Sequence, residues 1–194
     1  MHRVLAAAAA LLLAFPALAQ EATFRRIEVT PTAEGYSCDA EMRIPVAPEL
    51  AWEVMTDFDS MARWVPNLRS SRVVRQEDRT VTIEQVGTAS FGPVSFDFTM
   101  ERRLSLDPPR GMTAVQVKGT LRKYQSTLRL APERGATRLR YRVEIEPGTL
   151  LGVILSKEFV EHELREQFTA IAAEMQRRHA AREGGGSGQP ASAR

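Results

Sequence analysis

The chain has 194 residues, with 26 basic and 24 acidic side chains, a formal charge of +2 and one cysteine. This near-balance of charge gives no general case for nucleic-acid binding, despite a sequence pI of about 9.0. A single cysteine excludes an intrachain disulfide, so the fold must hold by its apolar core.

The opening MHRVLAAAAALLLAFPALAQ sets Arg3 before an apolar run from Val4 to Phe15, then a breaker at Pro16 and small residues at Ala17 and Ala19. That is the pattern of a secretory signal peptide cut after Ala19, with an apolar run shorter than the roughly 20 residues that span a bilayer. The chain is therefore expected to be exported, periplasmic or secreted. Residues 20–35 read as an N-terminal extension, 36–182 as one domain, and the Gly/Ser-rich 183–194 as a disordered tail.

The first element, Tyr36 to Val46, alternates as a strand and puts Cys38 among Tyr36, Ala40, Met42 and Ile44 on one face, where it reads as a small buried hydrophobe. Pro48 then opens a short helix carrying Leu50 and Val54 at helical spacing, since a proline in the first turn costs no hydrogen bond. SMARWVPN reads as a second helical turn broken by Pro66. From Leu68 the period changes to two, with turn signals at QEDRT, FGP, LDPPRG, KGT and PERGAT. Strands are expected near 69–76, 80–90, 93–106, 111–118, 121–131 and 136–146, joined as an antiparallel meander. A long helix follows from about Leu151 to Arg182, with Val160, Leu164, Phe168, Ile171 and Met175 in one stripe.

Together these elements predict an α+β protein. A seven-stranded curved antiparallel sheet, apolar on one face, wraps round the long C-terminal helix, with two short helices after the first strand. One helix does not fill so wide a sheet, so an apolar space should remain between them.

Parity assigns the faces. Phe96, Phe98, Met100, Leu104 and Leu106 point inward, as do Tyr124 and Tyr141, while Lys123, Arg129, Arg138, Arg140 and Arg142 form an outward basic band. Cross-strand pairing with acidic residues such as Glu144 accounts for such a band, and transient contact with an anionic membrane surface is the sharper alternative. Strict alternation in FDFTMERRL also turns Arg102 inward. Either a bulge or strand end turns it out, or it meets an internal carboxylate, or it meets a ligand's anionic or carbonyl group. His162 lies among Glu161, Glu163 and Glu166 and reads as a solvated or Glu-paired helix histidine. No spacing of His, Cys and carboxylates suits a metal, and no Gly-rich loop suits a nucleotide, so no cofactor is expected. The candidate ligand-binding residues are Trp64, Phe96, Phe98, Met100, Arg102, Tyr124, Tyr141 and Phe168. Trp64, stranded beside Val65 and Pro66, is either a plug packed on its own core or a ring that covers a ligand.

MRIPVAPELAWEVMTDFDSMARWVPNLRSSRVV, LDPPRGM and EHELREQFTAIAAEMQRR resemble the START-like (SRPBCC) superfamily, specifically its polyketide cyclase/dehydrase and coenzyme Q-binding branch. The resemblance covers roughly residues 36 to 180 and implies a helix-grip fold enclosing a hydrophobic cavity, used by different members for lipids, quinones, polyketides and plant hormones. The expected function is that of an exported binding protein for a hydrophobic small molecule. The enzymatic alternative is a cyclase or dehydratase in which Arg102, Tyr124 and Tyr141 polarise a carbonyl and move a proton.

Overall fold

The computed structural model describes residues 21–148, 152 and 155–185. Strands β1 (Thr23–Pro31) and β2 (Tyr36–Ile44) lead into helix α1 (Pro48–Thr56) and a 3-10 turn (Phe58–Arg63). Then come β3 (Leu68–Glu77), β4 (Thr80–Phe91), β5 (Val94–Asp107), β6 (Gly111–Gly119), β7 (Lys123–Glu133), β8 (Ala136–Glu146) and helix α2 (Lys157–Gly185). The sheet has eight strands in the order β1-β2-β8-β7-β6-β5-β4-β3, and every neighbouring pair is antiparallel.

The added strand is β1, within the stretch expected to be an extension. Its sequence TFRRIEVTP hides the alternation, because only Val29 is buried while Arg25, Arg26 and Glu28 face water. It is an edge strand, where charge on exposed positions discourages pairing with another chain. Its register on β2 sets Val29 opposite Cys38.

Helix α1 starts on Pro48 and buries Leu50, Ala51, Val54 and Met55. Phe58 and Met61 continue that apolar surface through the 3-10 turn, which Trp64 ends. These two short elements carry the chain from β2 to β3 at the far edge of the sheet, and Asp59 accepts a hydrogen bond from the Val73 amide at 2.7 Å to hold the return.

Helix α2 begins six residues later than the expected Leu151, at Lys157. The start is set locally: Ser156 Oγ accepts the Phe159 amide at 3.1 Å, a side-chain N-cap. At the other end α2 runs through Glu183 to Gly185, into the stretch expected to be tail. The signal-peptide reading, the remainder of that tail and most of the GTLLGVIL segment lie outside the described residues.

Helix α2 touches both β1 and β4, which stand six strand spacings apart. Six spacings of a flat sheet would measure about 29 Å, against about 10–12 Å for a helix with its side chains. The sheet therefore curls round α2, and its concave face holds the core of Ile44, Ile83, Leu139 and Met175. The far end of α2 is anchored by charge. Arg178 reaches Asp57 at 2.5 Å and Glu174 at 2.7 Å, and Arg182 reaches Glu53 at 2.6 Å, which ties α2 to the end of α1.

Candidate functional site

Between the concave face and α2 lies a cavity of about 250 Å³. Alternation supplies its walls: Phe96, Phe98, Met100 and Leu104 from β5, Tyr124, Ser126 and Leu128 from β7, and Tyr141 and Val143 from β8. Its roof is α2, through Phe159, Leu164, Phe168 and Ile171, and α1 with the 3-10 turn closes one end through Met55, Phe58 and Met61. At the opposite end Phe159, only 2% exposed, stacks on Phe96 at 5.5 Å and meets the edge of Phe91 at 6.1 Å. Gly87 makes room there. A Cβ on it would come within 2.1 Å of the Asn67 carbonyl oxygen and 2.6 Å of the Phe98 ring.

One polar row crosses this apolar surface. Arg102 Nη1 donates to the Tyr124 hydroxyl at 2.8 Å, and Nη2 donates to Gln85 Oε1. The Gln85 amide nitrogen donates in turn to Ser71 Oγ at 3.0 Å, which fixes which end of the amide faces the arginine. The Tyr124 and Tyr141 hydroxyls share a hydrogen bond of 2.6 Å. The guanidinium also lies over the Tyr124 ring, 5.1 Å from its centre, and Tyr141 packs on Phe168 at 5.0 Å. Burial, and then the neighbouring Tyr124 phenol, push the Tyr141 hydroxyl well above its usual range, so it stays protonated at neutral pH.

The three readings of Arg102 are now decided in part. A bulge is present, but it lies on β6: between Glu101 and Arg102 the pairing skips Val117, which turns outward at 54% exposure. Arg102 keeps its inward direction. Among the described residues no carboxylate pairs with it, and its Nε is sealed from solvent without a partner.

The second charged group of the lining is Glu163 of α2. Its Oε2 accepts Asn67 Nδ2 at 2.5 Å and its Oε1 accepts the Ser90 amide at 3.1 Å, so one carboxylate clamps α2 to β4 and to the segment before β3. Burial holds its carboxyl above the usual glutamate range, opposed by those two hydrogen bonds.

Seven of the eight sequence-derived candidates, Phe96, Phe98, Met100, Arg102, Tyr124, Tyr141 and Phe168, lie together on this lining. Trp64 does not. It caps the 3-10 turn and packs on the main core with its indole nitrogen buried and unpartnered, while its neighbours Val65, Asn67 and Leu68 reach the cavity instead. The turn ends on Trp64 itself, and its ring stays to the side while the residues after it line the cavity. His162 is exposed and lies against Phe91 at 4.9 Å. Cys38 is fully buried, and burial pushes its thiol up to about 12.

Gln85 and Glu163 were missed. For Gln85 a signal existed: in TVTIEQVGTAS it shares the parity of Val81, Ile83 and Ala89, so a polar group was placed on the apolar face. For Glu163 there was none, since EHELREQ reads as a solvated helix flank. On the outer face Arg140 donates to Glu41 at 2.8 Å and Arg142 pairs with Asp39 at 3.0 Å, so β2 supplies most of the balancing charge. Glu144 lies 3.6 Å from Lys123.

A curved antiparallel sheet gripping one long C-terminal helix, with an apolar cavity between them, is the helix-grip fold of the START-like superfamily. The family model described as polyketide cyclase / dehydrase and lipid transport matches residues 35–178, and the chain belongs to that family. Solved structures of the same fold include a START superfamily protein from Mycobacterium smegmatis, with TM-score 0.61 and 11% identity over 74% of this chain and 99% of that one. The Zhui aromatase/cyclase from Streptomyces sp. R1128 has TM-score 0.56 and 15% identity over 72% and 94%. A STAR-related lipid transfer protein fragment from Xanthomonas axonopodis has TM-score 0.60 and 14% identity over 77% and 98%. Likeness at such identities carries the fold alone. Among curated proteins none matches the sequence.

Proposed function

We propose that this is an exported binding protein that holds a hydrophobic small molecule, of lipid, quinone or polyketide-like chemistry, between the sheet and α2. The observation that carries the reading is the cavity itself: about 250 Å³, walled by aromatic and aliphatic side chains, with its polar groups gathered in one row. An apolar cavity is poorly hydrated, and filling it removes ligand surface from water at about 25 cal/mol per Å². Export rests on the first nineteen residues. Contact with an anionic membrane is not part of the proposal, because Arg140 and Arg142 spend their charge on Glu41 and Asp39. The test is native mass spectrometry and solvent extraction of protein purified from its own host, with titration of an apolar fluorescent probe. A retained hydrophobic compound or saturable probe binding is expected, and the absence of both would sink the reading.

A second reading, a cyclase or dehydratase on a polyketide-like substrate, is favoured by the convergence of Arg102, Tyr124 and Tyr141 on one side of the cavity. These groups can donate to a carbonyl oxygen, which an aldol-type closure requires. Removing the proton from carbon requires a base. Glu163, the one carboxyl of the lining, has both oxygens occupied by hydrogen bonds that hold α2 to β4, and binding therefore stands ahead of catalysis. Product formation from a poly-β-ketone substrate, abolished in Arg102→Met, would reverse that order.

A further inference from the structure

Among the described residues Arg102 is the one cation of the lining, and no carboxylate pairs with it. Glu163 does not supply a counter-charge. Its two carboxylate oxygens are held by the Asn67 side chain and the Ser90 amide, and it forms no ion pair with the arginine. A cation taken out of water without a paired anion costs several kcal/mol, whereas the half-buried Arg178 has Asp57, Glu174 and Glu53 around it. We infer that the ligand is a compact amphiphile with a single carboxylate head, which it brings to Arg102 while its apolar body lies along Phe98 and Phe96. The inference rests on the binding reading above and specifies its ligand class.

Three features of the site support this. First, a guanidinium carries five N–H donors in a planar fork. Here Nη2 gives one hydrogen bond to Gln85 and Nη1 one to Tyr124, and with Nε sealed from solvent one N–H on each terminal nitrogen remains for an anion. Second, the fork is aimed before any ligand arrives, since Ser71 fixes Gln85 and Tyr141 fixes Tyr124. Orientation therefore costs little on binding. Third, size and charge select the class. From Arg102 to Phe98 is four strand residues, about 13 Å, which suits a medium-length chain or a bicyclic ring system. One cation balances one negative charge. A phosphate monoester, with about −1.5 to −2 at neutral pH, would leave part of its charge unmatched, and a planar carboxylate fits the fork in two places.

The test compares decanoate, decanol and decylamine by calorimetric titration of delipidated protein at neutral pH. Decanoate should bind about tenfold tighter than decanol, in line with a charge-assisted hydrogen bond, and decylamine weakest. Arg102→Met should erase the preference for decanoate and leave decanol binding within about twofold, and Arg102→Lys should keep part of it. Decanol binding as tightly as decanoate to the unaltered protein overturns this inference and leaves the binding reading intact. If no alkyl compound and no apolar probe binds, both fall.

Discussion

Arg178 and Arg102 are both largely screened from bulk water, and the chain treats them in opposite ways. Around Arg178 it has placed Asp57 at 2.5 Å, Glu174 at 2.7 Å and Glu53 at 3.5 Å, from two helices that the arginine thereby joins. Around Arg102 it has placed an amide oxygen and a phenol, each fixed by a further neutral group. The first arrangement is closed: the cost of removing the charges from water is offset within the protein. The second is open, with donors to spare and no anion among the described residues. The difference separates a cation that builds the fold from one the fold presents to something else.

The largest effect should come from breaking the closed arrangement. Arg178→Ala leaves Asp57 and the 6%-exposed Glu174 short of a partner and should cost about 3 kcal/mol in urea unfolding, without changing decanoate affinity. The same site has a pH signature. Arg177 first and then Arg178 hold the Glu174 carboxyl down at about 2, against an unfolded value near the ordinary 4.5, with burial opposing them. A depressed carboxyl contributes stability above its unfolded value and loses it as pH falls through the folded one. The acid limb should therefore begin to drop below about pH 4.5 and be complete near 2. Discounted because Arg177 is 67% exposed, the loss is on the order of 2 kcal/mol, and Glu174→Gln should flatten it in melts taken across that window.

Next in size is Gly87→Val, which attacks the open region without touching its cation. The new side chain meets the Asn67 carbonyl and the Phe98 ring, so overpacking should cost about 2 kcal/mol and weaken decanoate and decanol alike. If decanoate alone suffered, the head and tail assignments along β5 would be reversed. The smallest effect belongs to Trp64→Phe. Its indole nitrogen has no partner and its ring is off the lining, so stability should change by under about 1 kcal/mol and affinity by less than twofold. A larger drop in affinity would restore Trp64 as a ligand cover.

Much of this contrast could be read from residue order. Strict alternation turned Arg102 inward with Phe98 and Met100, and it does point inward, because the local irregularity falls on Val117 of the partner strand. Alternation also assembled six of the candidate lining residues, and the helical stripe supplied Phe168. Alternation failed where a strand had little to bury, as in β1, whose Val29 is its single buried side chain. Trp64 lay outside its reach, because the ring's direction depends on how a 3-10 turn ends and on no period. The missing counter-ion was beyond sequence in principle. Glu163, Glu161 and Glu166 all lie on α2, and only the packed structure shows that Glu163 is committed to Asn67 and Ser90.

The account stands or falls on what Arg102 does when the cavity is empty and when it is filled. The direct measurement is a pair of thermal melts of delipidated protein, with and without decanoate, for the unaltered chain and for Arg102→Met. Replacing an inward cation that has no counter-ion by an apolar side chain of similar length removes the cost of the charge but leaves Gln85 Oε1 without its donor, so the empty protein should change by no more than about 1 kcal/mol, and decanoate should raise the melting temperature of the unaltered chain far more than that of the variant. An Arg102→Met protein that melts as early as Arg178→Ala, yet gains as much from decanoate as the unaltered chain, would show that Arg102 is a structural residue and that the ligand's head lies elsewhere.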